Sequence, residues 1–452
     1  MADLHPLSYN QELMLAFGAE VGFGASRWNH QVIIDLRDYD DADVGRVLHQ
    51  LFRRHAILRT RIGLRENRHC QVVDELPVRL PHRVADMGHT CPDAVAKAEL
   101  ARPFDLYACP LLRSVAVPRA DGGAWLILTL NHLISDRESE IKLAAEFAHR
   151  YERAGSPGDA EAAPNQYADF ARWQRAAVAR YLRDPTSAPQ WLEYESMVRA
   201  LEPDRKAPTS GHRDTASPPP EALRREMVVE FTTADMAIVT AYCRSRKVTL
   251  NMAFLAALAT ATVSVPHLTV GLLLGETTTR YPYRFADTLG PFPDLWPISP
   301  PAAAATDFPT VLSSVRNQLL RVIEFPLPFH VLVARAAWLA QELRNDRRAH
   351  WIFYQYFNEA TSQADQRTRV AGVDFPDVFG EQSSIFGIHL QLRLREGLLR
   401  GRLNYHAGSL NQHDMVVFVD GIRNALQQAT GQPLLLPVGE AGEHAWAGRE
   451  TP

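Results

Sequence analysis

The chain has 452 residues, long for one hydrophobic core, so two domains or subdomains are expected. Its 46% hydrophobic and 22% charged residues are ordinary for a globular protein. A net charge of −4, from 48 basic and 52 acidic side chains, carries no polyanion-binding character and excludes nucleic acid as the expected partner. Cys70, Cys91, Cys109 and Cys243 show neither metal nor disulfide spacing. The N-terminus lacks a basic region followed by an apolar stretch, and no apolar run reaches membrane-spanning length. A cytoplasmic protein without a membrane partner is expected.

In chain order, the spacing predicts a helix from Ser8 to Phe17, a strand from Trp28 to Leu36 and a helix from Val44 to His55. Strands follow at Ile57 to Ile62, Gln71 to Val73, Leu111 to Val117 and Trp125 to Leu130. A helix begins near Glu138 and runs toward Tyr151, and an amphipathic helix covers Tyr167 to Tyr181. Prolines and polar residues then crowd positions 184–221, read as a connection between two lobes that holds a helix over Gln190 to Leu201.

The second half opens with a strand at Glu226 to Phe231, a helix N-capped by Thr233 and an Ala-rich helix from Leu250 to Val263. Strands are predicted at His267 to Leu274, Ile352 to Phe357, Ile385 to Arg395 and Leu399 to Tyr405, and the last strong helix at Asp414 to Ala429. The tail after Pro437 reads as loose. This divides the chain into 1–183, the connection 184–221, 222–436 and the tail 437–452.

Asn131-His132-Leu133-Ile134-Ser135-Asp136-Arg137 stands between a core strand and a helix. A histidine there can face a cleft from a rigid backbone, the usual mounting of a general base. The plainer alternative is a histidine closing a strand and an aspartate N-capping the next helix. Ser135 has no nucleophile elbow around it and reads as a loop hydroxyl. Tyr167, Asp169 and Trp173 could form an aromatic ligand box, but aromatics spaced on one helical face read as packing, as do Pro291, Phe292 and Trp296 in a crossing segment. His330, His389 and His406 lack metal spacing, so no metal is expected.

Several segments in order resemble the condensation domains of nonribosomal peptide synthetases. Leu7-Ser8-Tyr9-Asn10-Gln11 is similar to the LSxAQ motif, and Arg54-His55-Ala56-Ile57-Leu58-Arg59-Thr60 to RHExLRT. Residues Asn131 to Arg137 match HHxxxDG at His132 and Asp136. Tyr167 to Gln174 is similar to YxDFAxWQ, and Leu289 to Pro297 to IGxFVNTLPLR, with Asp294 at the Asn position.

The resemblance spans about residues 5 to 430 and implies a freestanding member, or one cut from a larger assembly. It implies an α/β fold of two lobes, each resembling chloramphenicol acetyltransferase, set in a V around a central tunnel. It further implies transfer of an acyl or aminoacyl group from a carrier-protein thioester to an amine or hydroxyl acceptor. His132 would be the base, acting with much help from proximity. The acyl or peptidyl carrier protein would bring 4′-phosphopantetheine; the enzyme would need no cofactor of its own.

In the family the motif aspartate pairs with an arginine, which makes Arg59 the expected partner of Asp136, with Asn131 supporting the loop. Arg137 replaces a glycine. It can point to solvent, line the acceptor channel with Ser135 and select an acceptor, or fill the channel. Filling it would give a silent platform that recruits a carrier protein or tailoring enzyme. A coenzyme A-dependent acyltransferase is the second alternative.

Overall fold

The computed structural model describes residues 3–21, 28–76, 80–85, 91–154, 164–200, 224–262, 264–265, 272–280, 282–298, 307–323, 327–344, 351–359, 369–374, 386–407, 410–435 and 438–440. Two sheets carry two lobes. The first is five-stranded, in the order Val370–Asp374, Asn29–Leu36, Ala124–Asn131, Leu112–Pro118, His82–Val84. Strict alternation along its central strands divides the core. Val32, Ile34, Leu126 and Leu128 face the helices Asp41–Arg54 and Arg137–Glu152, whereas Ile33 and Ile127 face Pro92–Ala101 on the other side.

The second sheet is seven-stranded, in the order Pro293–Ile298, Leu272–Thr278, Trp351–Glu359, Ile388–Arg395, Leu398–His406, Arg224–Phe231, Val438–Glu440. Leu250–Ala261 is buried almost all round, between this sheet and the helix Gln412–Thr430. That explains an Ala-rich helix with no polar face. A small three-stranded sheet joins Asp3–Pro6, Arg68–Val73 and Thr60–Arg65.

The halves exchange elements. Val370–Asp374 pairs antiparallel with Asn29–Leu36, and Arg369 clamps it by an ion pair to Asp43 (2.8 Å) and by lying over the Tyr151 ring. In return Leu13 and Phe17 of the first helix pack into the second lobe's core, with Val178 and Tyr181. Phe285, Leu289 and Phe292 enter the first lobe's core. A cut between 1–183 and 222–436 therefore does not separate the two cores.

Several predicted bounds shift for local reasons. Ala56–Arg59 is a 3-10 turn, closed by a Leu58 N–H to His55 O bond, and the strand starts only at Thr60. The helix placed after Thr233 is capped by Thr232, whose backbone N–H bonds Asp235 in a capping box. The strand predicted at His267 to Leu274 is Leu272–Thr278, extending through polar Glu276 and Thr278, while 267–271 lie outside the described residues. Its polar end is held by pairing with Pro293–Ile298, and its apolar start also by Trp351–Glu359. Within the connection, Pro189–Ala200 is helical, and 201–221 lie outside the described residues, as does Ile385. Beyond Pro437, Val438–Glu440 pairs with Arg224–Phe231 as an edge strand, and 441–452 lie outside the described residues. Among the described residues no helix is long and apolar enough to cross a membrane.

Candidate active site

The strand Ala124–Asn131 ends in a tight loop that carries His132. The His132 backbone N–H donates to Trp28 O (2.7 Å), and the Asn131 side-chain oxygen accepts the Leu133 N–H (3.0 Å). Gln11 reaches across from the first helix to Leu133 O (3.1 Å). The imidazole Nδ1 lies 2.6 Å from Ser135 O. A carbonyl oxygen only accepts, so Nδ1 carries the proton and Nε2 keeps its lone pair. Among the described residues Nε2 has no hydrogen-bond partner, and the side chain is partly accessible.

The ring of His30 lies tilted against His132, 4.3 Å between centroids, and its Nδ1 is 3.0 Å from Glu140. Burial and the neighbouring His30 push the His132 pKa down to about 3, so the imidazole is neutral at ordinary pH. Arg137, the first residue of its helix, lies along the first turn 3.8 Å from the other Glu140 oxygen, with 16% of its side chain accessible. Glu140 thus stands between the guanidinium and the His30 ring.

Asp136 N-caps the helix Arg137–Glu152 by accepting the Ser139 N–H (2.7 Å). It is not paired with Arg59. That guanidinium is committed elsewhere, donating to Phe52 O (2.9 Å) and to Asp74 O at the edge of the small sheet. The partner is Arg280, from the second lobe, 144 residues away in sequence and 2.6 Å from the Asp136 carboxylate. Arg280 also donates to Thr288 O and to Ser139 Oγ (2.6 Å) and lies over the Phe292 ring (4.1 Å). The Phe292 N–H completes the shell of Asp136 (3.0 Å). Burial alone would raise the Asp136 carboxyl, but Arg280 and these donors hold it below the usual carboxylate range.

The other motif segments close around this pair. Ser8 Oγ lies 2.7 Å from the Tyr167 hydroxyl, Tyr167 also donates to Pro291 O, and Gln174 bonds both Tyr9 N and Asn10 Oδ1. Gly290, at φ +153°, approaches Tyr167 so closely that a Cβ would fall 2.0 Å from its ring. Tyr167, Phe170 and Phe292 pack edge-on or tilted at 4.6 to 5.4 Å. Among the described residues no group of three His, Cys, Asp or Glu could hold a metal ion.

Sequence reasoning missed Arg280, His30, Glu140 and Ser139. His30 had a signal: Asn29-His30-Gln31 is a polar run opening an otherwise apolar strand. Arg280 had none, because nothing local ties it to a residue in the other lobe.

Comparison with known proteins gives the family and the fold. Residues 1–438 match the family described as Condensation domain. The phosphinothricin tripeptide synthetase PhsB of Streptomyces viridochromogenes is 31% identical over 185 residues, 38% of this chain and 15% of that protein. Tyrocidine synthase 3 of Brevibacillus parabrevis is 30% identical over 172 residues, 38% of this chain and 3% of its own length. The chain thus spans a small fraction of these curated relatives. Among solved structures, SgcC5 of Streptomyces globisporus superposes with a TM-score of 0.70 at 19% identity, covering 95% of this chain and 99% of that one. The X-domain from teicoplanin biosynthesis gives 0.73 at 18% identity, with 95% of each chain covered. At these identities both show the two-lobed fold alone. The chain belongs to the condensation domain family of nonribosomal peptide and secondary metabolism.

Proposed function

We propose that this protein transfers an acyl or aminoacyl group from a carrier-protein thioester to an amine or hydroxyl acceptor. The observation that carries this reading is the fixed tautomer of His132, with Nδ1–H spent on Ser135 O and Nε2 unengaged in a partly accessible position. As the acceptor N–H or O–H attacks the thioester carbonyl, Nε2 takes its proton. A C–N or C–O bond forms, the C–S bond breaks, and the proton passes to the departing pantetheine thiolate. Asp136 and Arg280 position the loop and touch no substrate. The thioester is supplied on the carrier's 4′-phosphopantetheine, and the protein contributes placement and one base.

The test is turnover of an acyl-loaded carrier protein with a panel of amines and alcohols, followed by mass spectrometry. His132→Ala is expected to lower turnover by roughly 100-fold or more. Equal turnover by both proteins overturns the general-base role. Turnover with acyl-coenzyme A in the absence of any carrier overturns the carrier assignment.

A further inference from the structure

The second lobe's sheet has two unlike faces. One packs on the helices through Val229, Leu390, Tyr354 and Leu273. Pairing register puts Leu295, Glu276, Gln355, Gln391 and Arg402 in one row across the opposite face. Two-residue alternation turns Glu276, Thr278 and Arg280 the same way. Since Arg280 reaches Asp136 beside His132, this is the face that looks toward the first lobe and its base.

The row is wired in one direction. Gln391 Nε2 (3.1 Å) and His389 Nε2 (2.8 Å) both meet Gln355 Oε1, which orients the amide so that Gln355 Nε2 donates to Glu276 Oε2 (2.7 Å). Glu276 ends the chain. Among the described residues it receives that one hydrogen bond and makes no ion pair, yet it is flanked by protein and only partly accessible. The charge acting on it is that of Asp136, which is negative; with burial as the larger cause, its carboxyl is pushed up to about 7. Of the cations on this face, Arg280 is spent on Asp136 and Glu138, Arg402 points toward Glu226 (3.7 Å) and Arg393 lies over the Phe357 ring. A partly enclosed carboxylate without a counter-charge is costly, so the group holds its proton more tightly, and a cation arriving from outside would relieve the same cost. Phe357, two residues on from Gln355 and partly accessible, supplies apolar surface on the same face, while Phe353 is buried against Phe386 and His389.

We infer that Glu276 is the recognition point for a primary ammonium group on an acceptor with an apolar body, with Gln355 as its positioning residue. Calling the ligand an acceptor rests on the acyl-transfer reading; the binding site itself does not. The test therefore uses no donor. Phenethylamine and its neutral counterpart phenethyl alcohol are titrated into the whole protein by calorimetry at about pH 8, where both the ammonium and the carboxylate are charged. The wild type should bind the amine roughly tenfold or more tightly than the alcohol, as expected for one desolvated charge pair. Glu276→Gln, which keeps shape and hydrogen-bonding capacity, should erase that preference while leaving alcohol binding in place. Equal binding of both compounds by the wild type, binding of neither, or a preference that survives in Glu276→Gln overturns the assignment. If Glu276→Gln fails to fold, the wild-type comparison alone decides. Loss of acyl transfer with intact amine selectivity would strike the proposed reaction and spare the site.

Discussion

At the scale of single residues, the state of His132 is set by what surrounds it. Desolvation and the adjacent His30 ring both disfavour the imidazolium, and the short bond to Ser135 O selects the tautomer. A histidine whose pKa is depressed to about 3 stays competent as a base well below the usual histidine value. The acid limb of kcat/KM should accordingly not fall at about pH 6.5, the unperturbed imidazole value. Replacing His30 with Asn removes one of the two depressing influences, so the His132 pKa rises and the acid limb moves to higher pH. A pH–rate profile unchanged in His30→Asn would refute the electrostatic role of that ring. The same shift acts on folding: the unfolded chain takes up this proton below about pH 6.5 and the native protein does not, so His132 subtracts stability as pH falls through that window.

At the scale of elements, the site is held by the end of one strand meeting the start of one helix across the lobes. Arg280 follows the strand Leu272–Thr278, and Asp136 caps Arg137–Glu152. Both side chains are about 4% accessible; removing Arg280 leaves Asp136 a buried charge without a counter-ion, and removing Asp136 leaves Arg280 only the half-exposed Glu138, 3.1 Å away, as counter-charge. Asp136→Asn and Arg280→Met should each lower unfolding free energy by about 3–5 kcal/mol in denaturant titrations. The double variant should cost clearly less than the sum; additive losses would show that the two act independently. Local patterning gives the Asp136 N-cap and the flanking helix, because both are written within a few residues. The family resemblance assigns Asp136 to Arg59, which spends its guanidinium on the backbone carbonyls of Phe52 and Asp74. A pairing that spans 144 positions leaves no periodicity to read. The strand that carries Glu276 is likewise predicted too early in the chain, because its cleft-facing polar residues break the apolar run that marks a strand.

At the scale of the whole molecule, the lobes are interlocked. The second half supplies Val370–Asp374 to the first sheet, and the first helix supplies Leu13 and Phe17 to the second core. If a protease site inserted between Ala200 and Arg224 is cut, the two fragments should still elute together in gel filtration and separate only in denaturant. Fragments that part under native conditions would show that the exchanged strand and helix contribute little. The two-lobed α/β plan was legible in the order of motifs and in the strand and helix periodicities. The exchange was not, since a five-residue strand such as Val370–Asp374 looks the same whichever sheet it joins.

The salt bridge between Arg280 and Asp136 has a mechanical consequence. It rivets the lobes together beside the loop that aims His132. A splaying motion wide enough to part the lobes at that point would strip Asp136 of its counter-ion and slacken the loop, so opening there would also undo the placement of His132, the proposed base. Any wider opening of the lobes would have to bend around this rivet, with its hinge beside His132.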